Sequence, residues 1–180
     1  MNKKLVFIVI LLLTILGVLM RLMPHPANFS PLIAISLFSG YYLPKKYALV
    51  LPLGIMFLTD LFLGFYELPV MLAVYSCFFV SILAGNYLRK RINVINLITT
   101  TLFLSLLFFI TTNFVVWYFT PWYSHSLSGL ALCFTYAIPF FRNSLMGNFF
   151  FVTTIFSCWE LVKLSNRNIL VQFKEDWFKI

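Results

Sequence analysis

Charge is the scarcest property of this 180-residue chain: only 10% of its residues are Asp, Glu, Lys or Arg, against roughly 25% in soluble domains. A soluble fold of this size needs a polar shell, and so small a charged fraction cannot build one. A soluble globular enzyme and a disordered chain are both excluded on that ground. Cysteine is nearly as scarce. Cys77, Cys133 and Cys158 make an odd number, all three inside apolar runs and none in a CxxC or Cys/His cluster. A disulfide framework and a structural zinc site are therefore not expected. The chain also has no GxxxxGK loop, no HExxH, no GxSxG and no close pair of carboxylates. Those absences leave no recognisable route to ATP hydrolysis, metal-assisted hydrolysis, serine catalysis or paired acid–base work. No catalytic residue, metal site or cofactor is expected, and the chain is not read as an enzyme.

What is abundant is hydrophobicity, at 62% of the chain. Lipid is the solvent such a composition suits, and the length allows about six or seven crossings of ~20 residues with short connections. Asn2-Lys3-Lys4 precedes an apolar run from Leu5 to Met20, which resembles a signal peptide. No A-x-A-like cleavage site comes before Arg21-Leu22-Met23-Pro24, so an uncleaved first span is expected. Pro24, Pro26 and Pro31 then enforce a loop. The hydrophobic runs predict spans over about 5–22, 29–43, 47–63, 70–88, 94–119 and 145–164, in one transmembrane domain covering 1–164. A 12-residue apolar run, Leu130 to Phe141, ends at Pro139-Phe-Phe-Arg142-Asn143 and is short for a crossing. The residues over 165–180 predict a cytoplasmic amphipathic tail, with Ile169, Leu170, Phe173 and Trp177 at helical spacing.

The charges choose between topologies. With the short run kept outside, eleven of the thirteen basic residues fall on the inner side, leaving Arg21 and Arg142 outside. If the run crosses, the division becomes eight against five. The positive-inside rule prefers the first. The expected fold is thus an all-α integral membrane protein of six transmembrane helices, with a short re-entrant or outer helix before the last span. Both termini face the cytoplasm of a bacterial inner membrane. The net charge of +8 belongs to this asymmetry and to anionic lipid, not to nucleic acid, because no basic cluster exceeds Arg89-Lys90-Arg91.

Ionisable side chains at membrane depth cost at least ~2.5–3.5 kcal/mol and need a partner or a wet cavity. Asp60 lies ~20 Å from the inner start of its span, in the outer third of the bilayer. Asn113 and Trp117 reach the same outer level, as do Arg21, His25, Asn28 and Arg142 from helix ends and loops. This shared depth marks the seven as candidate ligand-binding residues. Each also has a plainer reading. Asp60 is equally an ion-pair partner of Arg142 or Arg21, Arg21 a headgroup contact, and Asn113 an interhelical hydrogen bond. The histidines can simply be solvated, Glu160 a partner of Lys163, and Cys77 a packing residue, with the role of Tyr75 beside it left open.

Three segments carry a resemblance: Pro24-His-Pro-Ala-Asn-Phe-Ser-Pro-Leu-Ile-Ala-Ile-Ser-Leu-Phe-Ser-Gly40, Leu51-Pro-Leu with Leu58-Thr-Asp60-Leu-Phe-Leu-Gly64, and Pro139-Phe-Phe-Arg142-Asn-Ser. The chain resembles a family of small uncharacterised bacterial membrane proteins, itself similar to the substrate-binding S components of energy-coupling-factor vitamin transporters. The resemblance implies a six-helix fold holding a small water-soluble, vitamin-like substrate under the first outer loop. It also implies a permease-like partnership with a transmembrane coupling protein and ATPase subunits, although span one has no A-x-x-x-A docking motif. Some solitary S components are similar to cobalamin carriers, and Asp60 and Arg142 look like two of their binding residues. Cys77 falls about four residues later than their cobalt-ligating cysteine. A second class remains open: a non-transporting assembly protein similar to the small membrane subunit that shapes rod-forming bacteria.

Overall fold

The computed structural model describes residues 3–165. Six helices succeed one another: α1 (Lys3–Leu22), α2 (Leu32–Tyr42), α3 (Lys45–Leu63), α4 (Leu68–Leu88), α5 (Val94–Phe119) and α6 (Leu127–Ser165). Among the described residues all regular structure is helical. Five of the helices are long and apolar enough to cross a membrane, and the chain is a multi-pass membrane protein on that account. The amphipathic tail expected over 165–180 lies, beyond Ser165, outside the described residues.

Local chemistry sets the helix boundaries. The Asn93 side chain accepts a hydrogen bond from the Asn96 N–H at 2.7 Å and caps α5. Pro69 stands in the first turn of α4, where a missing N–H costs nothing. Gly64, at φ 94°, closes α3 in a conformation most residues avoid, and its N–H donates to the Asp60 carbonyl at 2.9 Å.

At about 16 Å, α2 is too short to cross a ~30 Å hydrocarbon layer alone. It is instead the centre of the bundle, with all eleven residues buried. It packs against α3, α4 and α6, while α1 leans mainly on α3 at the periphery. The approach to α4 is close enough to require glycine on both sides. A Cβ on Gly40 would stand 1.9 Å from the Ile82 carbonyl oxygen, and one on Gly85 2.0 Å from that of Leu37. Such small-residue contacts let membrane helices meet backbone to backbone. Where α2 ends, Arg89 donates from Nε to the Gly40 carbonyl at 2.9 Å and from Nη2 to that of Leu43, meeting acceptors the helix leaves unpaired. Phe38 packs edge to face on Phe156 and on Trp159 toward the same end of α2.

The last helix corrects the sequence reading. The expected short outer helix over Leu130–Phe141 is the first part of α6, which runs unbroken for 39 residues through Pro139. A proline removes one backbone hydrogen bond and crowds the preceding turn, and membrane helices tolerate this better than soluble ones. Arg142 and Asn143, read as a break, are helical surface residues; Asn143 Nδ2 donates to the Ala27 carbonyl at 3.1 Å. The N-terminal half of α6 rests on α5, with Phe109 at ring-centroid distances of 5.4 Å from Phe134 and 4.6 Å from Phe141. Near the C-terminal end of α6 Glu160 pairs with Lys163, as expected.

Candidate functional site

The proline-rich segment between α1 and α2 brings the site together. Phe29 N–H donates to the Pro26 carbonyl at 3.0 Å, closing a turn, and Asn28 takes a left-handed φ of 63° that asparagine tolerates well. The Phe29 ring is pinned on α6, 5.4 Å from Phe151 and 6.1 Å from Phe150. Together with the Asn143 bond to Ala27, this ties the segment down over the helix ends.

Beneath it lies a cavity of about 310 Å³. All six helices reach its wall: Arg21 from α1, Ile33 from α2, Met56 from α3, Phe78 from α4, Phe108 from α5, and Ser144 with Asn148 from α6. His25, Asn28 and Ser30 line it from the loop, and Tyr66 from the α3–α4 turn. A second cavity, of about 220 Å³, opens between α5 and α6. Thr112, Asn113, Phe140 and Phe141 line it, and it shares Asn28, Val74, Phe108 and Ser144 with the first.

Beside the first cavity is the buried ion pair of the bundle. Arg21 Nη2 meets Asp60 Oδ1 at 2.6 Å, with Asp60 1% exposed and Arg21 16%. Tyr75 donates its hydroxyl to Asp60 Oδ2 at 2.8 Å, so both carboxylate oxygens are engaged. Arg21 Nη1 rests on the Met56 thioether, a weak acceptor. Asp60 lines neither cavity; it fixes the guanidinium that lines the first. Nearby, the Tyr66 hydroxyl is pushed up to about 12, first by burial and then by the negative charge of Asp60, with Arg21 partly opposing.

The cavity floor is polar and ordered. Asn148 Nδ2 donates to Ser105 Oγ at 2.9 Å and to Ser144 Oγ at 3.4 Å, and the Ser105 hydroxyl donates to the Thr101 carbonyl at 2.8 Å. His25 Nδ1 donates to the Met23 carbonyl at 2.7 Å, leaving Nε2 available. Among the described residues no group of three or more His, Cys, Asp or Glu comes together as a metal set.

The seven candidates therefore separate. Arg21, His25 and Asn28 line the first cavity, Asn28 and Asn113 the second, and Asp60 stands behind Arg21. The convergence of Arg142 and Asp60 is not found: Arg142 is exposed, lines neither cavity and makes no ion pair among the described residues. Its place is taken by Arg21. Trp117 also lines neither, donating instead to the Ser124 carbonyl at 2.9 Å. Asn113 Nδ2 turns back to its own helix, donating to the Phe109 carbonyl at 2.7 Å. Sequence reasoning missed Tyr66, Tyr75, Ser144 and Asn148 as site residues. Asn148 carried a usable signal, since an amide flanked by Gly147 and three phenylalanines is as anomalous in a span as Asn113.

No curated protein and no solved structure matches this chain. One family model does, over residues 1–170, and it is described as a family of unknown function, DUF6580. A match of that extent takes in all six helices, and the chain belongs to the DUF6580 family.

Proposed function

We propose that the protein is a substrate-binding and transport subunit of S-component type, which takes up a small water-soluble, vitamin-like compound across a bacterial inner membrane. One observation carries this reading: a cavity of about 310 Å³ walled by every helix, mostly apolar but reached by Arg21, His25, Asn28, Ser30, Ser144 and Asn148 in a chain otherwise poor in polar side chains. Its volume falls at the lower end of small-molecule sites. In this reading Arg21 contacts the ligand and Asp60 with Tyr75 holds Arg21 in position. His25, Asn28 and Ser30 close the site from the loop, and Ser144 with Asn148 forms its floor. Both termini lie in the cytoplasm, where a coupling protein with ATPase subunits would supply the energy.

A second reading, a membrane assembly scaffold, draws on the complete engagement of Asp60 by Arg21 and Tyr75, which a purely structural ion pair would also show. Native mass spectrometry of the full chain, gently extracted from its own membrane, separates the two. A small molecule retained at one per chain supports the carrier. An empty chain bound to a stoichiometric protein partner supports the scaffold.

A further inference from the structure

The two cavities together describe the chemistry of their occupant, a description that rests on the proposed binding role. Arg21 is the one formally charged residue among those lining either cavity, and no Asp or Glu lines either. Asp60 offsets the cost of burying Arg21 but keeps its own oxygens engaged and 1% exposed, so it presents no negative wall. The guanidinium has five N–H donors, of which one is held by Asp60 and another rests on the Met56 thioether. A thioether is readily displaced by a better acceptor. The Tyr66 hydroxyl adds a donor on the same wall, whereas His25, whose Nδ1 donates to Met23, presents Nε2 there as an acceptor. The second cavity is different in character. Phe108, Phe109, Phe140 and Phe141 line it, and it meets the first at Asn28 and Ser144.

We infer that the cleft takes an anionic amphiphile, with a carboxylate or phosphate against Arg21 and an apolar or aromatic body between α5 and α6. Charge-assisted pairing with a fork-shaped donor suits an oxyanion, and aromatic walls suit a flat or branched apolar group.

The full chain in phosphatidylcholine nanodiscs is titrated with three probes that share one body: 4-phenylbutyrate, 4-phenylbutylamine and 4-phenylbutan-1-ol. The carboxylate is expected to bind at least tenfold more tightly than the amine or the alcohol. Arg21→Met alone would strand Asp60, so the doubly neutral Arg21→Met/Asp60→Asn chain is used. It is expected to lose that preference, the carboxylate falling at least tenfold relative to the alcohol. Ala137→Leu, which fills the second cavity, is expected to weaken all three probes by a common factor. Repeating the titration in phosphatidylglycerol nanodiscs identifies the source of the anion. Lost phenylbutyrate binding assigns the site to a phospholipid headgroup, and unchanged binding assigns it to a free organic anion. Equal affinity for the three probes, or a retained native molecule without an acidic group, overturns the inference and leaves the binding role intact. No binding of any probe, with nothing retained on the chain from its own membrane, overturns both.

Discussion

Arg21 and Asp60, 39 positions apart on α1 and α3, meet at 2.6 Å, and Tyr75 of α4 completes the carboxylate at 2.8 Å. Three helices are thus held by one buried charge, and breaking it strands its partner. Asp60→Ala is expected to destabilise the protein by about 3–5 kcal/mol, because the guanidinium is left uncompensated. The doubly neutral Arg21→Met/Asp60→Asn chain should recover most of that loss. Chemical unfolding in micelles provides the measurement, and simple additivity of the two single losses would contradict the pairing.

The α2–α4 crossing should be intolerant of even one methyl group. Gly85→Ala would place its Cβ 2.0 Å from the Leu37 carbonyl oxygen, a backbone atom that cannot step aside as a flexible side chain can. A loss of about 1–3 kcal/mol or more is expected. Gly54→Ala is the control, with nothing within 4 Å of its Cβ, and should be neutral or stabilising by up to ~1 kcal/mol. Comparable unfolding midpoints for the two variants would show that the helices can slide apart at little cost.

Arg89 serves α2 although it belongs to the far end of α4. Arg89→Met removes donors from the Gly40 and Leu43 carbonyls and should cost about 1–3 kcal/mol for each acceptor left dry. Amide exchange should rise selectively in the last turn of α2. Lysine at this position restores the charge but not the two-pronged geometry, and is expected to recover only part of the loss.

Tyr66 gives the site a pH signature. Its folded value of about 12 lies above the ordinary 10.0, so the fold favours the neutral hydroxyl. That contribution is complete below pH 10 and declines as the pH rises from there towards 12, because the unfolded chain ionises first. Difference absorbance between the parent chain and Tyr66→Phe should show one tyrosinate appearing near 12. Asp60→Asn should lower that midpoint; an unshifted titration near 10 would place Tyr66 in water.

The sequence makes some elements plain and hides others for physical reasons. The bounds of α5 are the same by sequence and structure, since Asn93 is a strong cap and the run to Phe119 has no internal contradiction. The sequence divides α6 because Pro139 and Arg142-Asn143 carry the composition of a loop, whereas a helix leaning on α5 and the Ala27 carbonyl absorbs all three. Depth along a span is readable from residue counts. The direction a side chain faces around its helix is not, so Arg142 and Arg21 look equivalent as partners of Asp60. Packing alone turns Arg21 inward. Tyr75 stays hidden because residue counts give its depth along α4 but not the face that turns its hydroxyl to Asp60.

The unbroken α6 has a mechanical consequence. Thirty-nine residues rise about 58 Å, and even a lean of about 40°, the upper end of what spanning helices adopt, leaves about 45 Å. That equals the full slab from one headgroup layer to the other, against about 30 Å of acyl chain. Only the apolar stretch has to match the acyl layer, so the ends of α6, with Ser128 at one and Glu160 and Lys163 at the other, stand at headgroup level or beyond. Because α6 shares the second cavity with α5, any change of its angle against α5, as distinct from a tilt of the whole bundle, would alter the gap between Phe109 and Phe141.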